Sequence, residues 1–103
     1  MPVTNQVSHI NKVTCMTGRT GKSVKNQYII HAPEGRYFQS YAALVAFQSH
    51  CKGTTLLDSR FWRYSKTTMK YLSQFIGEPM HVITEKAKTG LYKLVENLVD
   101  QIE

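Results

Sequence analysis

The sequence predicts an α+β domain: an antiparallel sheet of about four strands in the first half, with two to three C-terminal helices packed on one face. Three observations carry this. β-branched and aromatic runs separated by turn residues fill the stretch from Gln27 to Asp58. After Asp58 the apolar residues change to a helical period. Strands first and helices last is the order of a sheet covered by helices on one side. The 103 residues, 42% of them hydrophobic, suffice for one modest core, so we expect a single domain spanning 1–103.

Residues 1–6 read as a loose polar end. Residues 7–16 carry Val7, Ile10, Val13 and Met16 and read as a strand, with a short amphipathic helix as the alternative. Residues 17–25 (TGRTGKSVK) read as an exposed, basic, Gly-rich loop. Gln27–Ala32 and Arg36–Tyr41 flank Pro33-Glu34-Gly35, a turn that joins them as a hairpin. Ala43–Ser49 is the most apolar run and reads as a strand, with Thr54–Asp58 returning beside it. From Asp58 to Ile76 one helix is expected, with Phe61, Met69, Leu72, Phe75 and Ile76 inward. Asp58 or Ser65 serves as its N-cap and Gly77 as its C-terminal stop. Met80–Lys88 forms a second helix. Leu91, Leu94, Val95, Leu98 and Ile102 make a stripe for a third, which packs within the monomer or closes a homodimer.

Charge narrows the function. The chain has 13 Lys and Arg against 7 Asp and Glu, a net charge of +6. The last 13 residues are acidic on balance, so the rest is more basic than the total implies. Such a surplus favours an anionic partner, and nucleic acid is the commonest one. Arg63, Lys66 and Lys70 fall at i, i+3 and i+7 on one helix face, with Thr67 and Gln74 among them. No acid lies between Ser59 and Gly77 to compensate them. That face suits a phosphate backbone; the plain alternative is a solvated helix surface. Arg19, Lys22 and Lys25 in the Gly-rich loop offer a second phosphate contact.

Other chemistry finds less support. Gly18-Arg19-Thr20-Gly21-Lys22-Ser23 superficially resembles a phosphate-binding loop, but two residues separate its glycines where four are needed. His9, Cys15, His31, His50, Cys51 and His81 show no metal-ligand spacing, so no metal or cofactor is expected. Glu34, Asp58, Glu78 and Glu85 are scattered, and neither cysteine has a histidine at a catalytic spacing. A non-enzymatic protein is the expectation. No apolar run approaches the roughly 20 residues that span a bilayer, and the first residues contain no apolar leader core, so a cytoplasmic location is expected.

The segment GRYFQSY (35–41), then VAF (45–47), then LDSRFWRYSKTTMKYLSQFIGE (57–78) resembles a small protein family found mostly in bacteriophages. Its members carry a similar FQSY…AF…LD..(F/Y)W.YS.TT.KY...F(I/L)GE pattern. The likeness continues faintly through EKAKTGLY to about residue 92. Arg63 stands where the family often has an acid, and Met69 where it has a small residue. The family has no assigned activity, so the resemblance implies phage origin and the host-cell cytoplasm. It also supports a rival function: a phage protein that binds and inhibits or redirects a host defence or transcription protein. Tyr37, Tyr41, Trp62 and Tyr64 would form that contact, since tyrosine and tryptophan dominate interface hot spots.

Overall fold

Residues 10–50 and 53–101 are described by a computed structural model. Six strands form one sheet in chain order: β1 (Lys12–Thr17), β2 (Ser23–Ala32), β3 (Gly35–Ser40), β4 (Ala43–Ser49), β5 (Thr55–Asp58) and β6 (Lys93–Val95). Neighbours from β1 to β5 run antiparallel, whereas β6 lies parallel to β5. Between β5 and β6 come α1 (Lys66–Ile76) and α2 (Met80–Thr89), and a 3₁₀ turn (Leu98–Gln101) follows β6.

This corrects the expected fold. The sheet is mixed and has six strands, not an antiparallel four. The two helices are a crossover inside it, not a C-terminal set. A parallel return to the sheet edge requires a long connection, and α1 and α2 supply it. The expected third helix is absent among the described residues. Its stripe instead splits between β6 and the 3₁₀ turn, because β5 offers an open edge. Leu56, Leu57 and Asp58 pair there with Lys93, Leu94 and Val95. Leu98 is buried, while Leu91 and Leu94 are exposed. The five residues therefore do not form one helical stripe, and Ile102 lies outside the described residues.

The first helix also starts later than expected. The Asp58 carboxylate, fully buried, accepts hydrogen bonds from the Arg60 backbone and guanidinium and from the Leu98 N–H. Its carbonyl takes the N–H groups of Phe61 and Trp62. These bonds hold residues 59–64 as turns. Ser65 is the N-cap: its hydroxyl accepts the Thr68 N–H at 3.1 Å. Gly77 ends α1 at φ 86, where a side chain would be strained.

Both faces of the sheet are covered. On one, Phe38, Val45, Ala46 and Leu57 pack against Leu72, Phe75 and Ile83 of the helices. Val45 and Ala46 are successive residues in the same core because a bulge interrupts the β3–β4 register there. On the other, Ile30, Tyr37 and Leu44 pack against Leu98. Each large apolar side chain so buried contributes about 1.5–3 kcal/mol. The hairpin of β2 and β3 closes with Ala32 opposite Gly35, as its turn residues predict. Gly35 is buried where a Cβ would fall 2.1 Å from the Gln48 carbonyl oxygen, so only glycine fits. The 17–25 loop is shorter than expected: β1 and β2 extend into it, and Gly18 and Gly21 close a tight turn. The expected loose end at residues 1–6 lies outside the described residues.

Candidate functional site

The sequence of α1 divides it into two faces. Thr68, Tyr71, Leu72 and Phe75 are buried against the sheet. Lys66, Thr67, Lys70 and Gln74 are exposed, as is Arg63 in the turn before the helix. The Arg63 guanidinium lies 5.2 Å over the Trp62 ring and the Lys70 amine 5.2 Å over Tyr71. The aromatic faces hold these side chains down while their charges stay in water. The ion pairs among the described residues are Arg60–Asp58 and Lys86–Glu78. Arg63, Lys66 and Lys70 take part in neither.

Gln74 links this face to the second predicted contact. Its amide donates to the Thr17 carbonyl at 2.8 Å. Thr17 is the root of the turn that carries Arg19 and Lys22, both exposed. The turn therefore lies beside the C-terminal half of the cationic face, and two regions far apart in the chain become neighbours. Gln74 thereby spends an amide hydrogen on the fold. Lys25 is exposed but falls outside this grouping. It follows Val24, whose side chain packs into the α1-side core, so strand alternation turns Lys25 to the opposite face.

The aromatic set separates. Tyr37 is 4% exposed in the second core, where its hydroxyl donates to Glu34. Burial, then that hydrogen bond, raise the Tyr37 pKa well above the ordinary phenol value. Trp62 is 8% exposed. Neither can anchor an exposed contact, because the 3₁₀ turn covers the sheet face that Tyr37 occupies and the helical core covers Trp62. Tyr41 and Tyr64, at 52% and 72%, are exposed.

These two tyrosines line one cavity of about 750 Å³, with Phe61, Arg60, Ser40 and Thr68. Its origin is a mismatch of strand lengths. β5 pairs with β4 only at Ala46, Phe47 and Gln48, and the chain then turns away at Asp58. Residues 43–45 of β4 run on without a strand partner on that side among the described residues, and they form one wall. Tyr41 sits in the β3–β4 turn at φ 55, a left-handed conformation uncommon for a bulky residue. Its N–H donates to the Asn26 carbonyl and its carbonyl accepts from the Gln39 amide, which together hold it there. Sequence reasoning missed this cavity because its walls come from three separated parts of the chain. The Ser40 and Thr68 hydroxyls at its inner end are 3.0 Å apart.

Elsewhere charges are neutralised within the fold. Lys86 and the Tyr92 hydroxyl both donate to the Glu78 carboxylate. Those bonds lower the Glu78 pKa, and the bond to Glu78 raises that of Lys86. Burial, then the nearby cations Lys12 and Arg36, lower the His31 pKa. Among the described residues no group of three or more His, Cys, Asp or Glu is placed to hold a metal ion. His9 and Cys51 lie outside them. No helix among those residues is long and apolar enough to cross a membrane.

A family described as being of unknown function, DUF8033, matches residues 11–93. The chain belongs to this family. The match spans β1 through the first residue of β6, so it takes in the cationic residues of α1 and the cavity walls from β4 and the 59–65 turn, but not Asn97 and Val99, which also line the cavity of this DUF8033 chain. No curated protein matches the chain, and no solved structure does.

Proposed function

We propose that this DUF8033 chain is a small, non-enzymatic, basic protein of phage type that binds nucleic acid in the host cytoplasm, mainly through phosphates. The observation that carries the reading is the exposed cations on and just before α1: Lys66 and Lys70 one helical turn apart, and Arg63 in the preceding turn, all without a carboxylate partner among the described residues. Arg19 and Lys22 extend that face across the Gln74–Thr17 bond. Thr67 adds a neutral hydroxyl among the cations. Phosphate binding needs donors and positive charge on a shared surface, and no reacting group.

The rival reading, a modulator of a host defence or transcription protein, draws on the aromatic set. It keeps Tyr41 and Tyr64 and loses Tyr37 and Trp62 to the cores.

The test is a mobility shift of mixed-sequence DNA and RNA at two salt concentrations, with heparin retention alongside. Engagement of three to four phosphates gives a log–log salt slope of roughly −3, or about fifty-fold weaker binding from 50 to 200 mM salt. The R63A/K66A/K70A variant should lose most of that slope and bind on the order of a hundredfold more weakly at physiological salt. Absence of any shift at low salt rules the reading out and favours a protein partner.

A further inference from the structure

We propose that the cavity between β4 and the 59–65 turn receives an unpaired base of a single-stranded nucleic acid whose phosphates follow α1. This rests on the nucleic-acid reading above and names the class of strand.

Three features of the site converge on it. The first is shape and lining. At about 750 Å³ the cavity has the size of small-molecule sites. Tyr41 and Tyr64 stand exposed at its mouth, and Phe61 meets Tyr64 edge-on with ring centroids 6.3 Å apart. Every base has a π-face, and exposed aromatic rings are the usual platform for bases freed from a duplex.

The second is charge. Among the described residues no acidic side chain lines the cavity. Arg63 and Lys66 flank it in the chain, on either side of Tyr64 and Ser65. A nucleotide with its base beside Tyr64 therefore carries its phosphates toward the N-terminal end of the cationic face. The complementarity is that of an aromatic group joined to an anion, which describes a nucleotide better than a neutral apolar ligand.

The third is polar recognition at depth. The edge of β4 at 43–45 that faces away from β3, without a strand partner among the described residues, lines one wall. The Ser40 and Thr68 hydroxyls are hydrogen-bonded to each other at the inner end, and Thr68 also accepts from the Ser65 hydroxyl, which leaves Ser40 as the hydroxyl with capacity for a ligand. Main-chain and hydroxyl groups of this kind can pair with the edge of a flat base once it leaves its stack. A base within a duplex cannot reach them, because its edges are paired and its faces stacked. The held, left-handed Tyr41 fixes one side of the mouth in advance, as expected where strain accompanies a binding role.

The experiment is fluorescence anisotropy of a short labelled oligonucleotide, as a single strand and as its duplex, with the full chain at fixed salt. Tyr64→Ala should weaken single-strand binding about tenfold and leave duplex binding unchanged, while Tyr64→Phe keeps the wild-type preference. Tyr64 is exposed, and an unchanged thermal melt will show that the fold survives. Equal affinity for both forms, unaffected by Tyr64→Ala but lost in R63A/K66A/K70A, overturns the base pocket and leaves phosphate binding standing. Failure of both forms to bind at low salt overturns both this inference and the nucleic-acid reading.

Discussion

α1 and α2 pack on the same core, and both carry lysines, yet their charges are handled differently. On α2, Lys86 donates to Glu78, which also accepts from Tyr92, and its amine lies 5.2 Å over the Tyr92 ring. That cation is wired into the fold. On and beside α1, Lys66, Lys70 and Arg63 rest on aromatic rings or extend into water, and no acid answers them among the described residues. The difference lies in where the acids fall. Glu78 is the first acid after Asp58, and it comes just after α1 ends. The number of bases alone would not distinguish the two helices.

Removing α1 from its seat breaks the comparison most directly. Leu72 is fully buried between α1 and the sheet. Leu72→Ala should lower unfolding stability by about 3 kcal/mol, read as a fall in urea midpoint. Ile83→Ala in α2 should cost a similar amount, because both side chains sit in one core. A large loss at one position only would mean the helices are held independently.

A smaller effect sharpens the contrast. Glu78 has its pKa lowered in the fold, chiefly by its bonds to Lys86 and Tyr92. Its contribution to stability is therefore present above the ordinary carboxylate value and is lost as pH falls through that range. The raised Lys86 pKa describes the same pair from the other side: that contribution is lost as pH rises past the lysine range. Glu78→Gln should flatten the acid loss of stability below about pH 4.5. The part due to His31 should persist. Its lowered pKa favours the neutral ring in the fold, so that stability fades as pH drops below about 6.5. The variant should leave the salt slope of polyanion binding unchanged, since the freed Lys86 lies on the other helix.

Much of the sheet could be read from local signals. The β2–β3 hairpin is written in alternating β-branched and aromatic residues around Pro33-Glu34-Gly35, and β4 in its apolar run. The exposed side of α1 at Lys66, Thr67, Lys70 and Gln74 follows from spacing, whereas Arg63, expected on the same helix face, lies in the turn before the helix. β6 does not, because Leu91, Leu94, Val95 and Leu98 satisfy a helical period equally well. What decides their fate is the open edge of β5 and the Asp58 carboxylate that accepts the Leu98 N–H, both some 40 residues away in the chain. The late start of α1 has the same source, since Asp58 serves the 59–64 turn instead of capping a helix. Tyr37 and Trp62, named with Tyr41 and Tyr64 as a contact set, are both in cores: Leu98 packs with the first and the helical core takes in the second. The cavity required residues near 40, 60 and 97 to meet, which no local pattern encodes.

The most direct test of the central claim is a map of backbone amide shifts as a mixed-sequence oligonucleotide is titrated into the labelled protein. Uncompensated cations on α1 predict shifts along residues 63–74 and at the turn of Gly18–Lys22, with α2 silent. Shifts confined to α2, or none along α1, would contradict it.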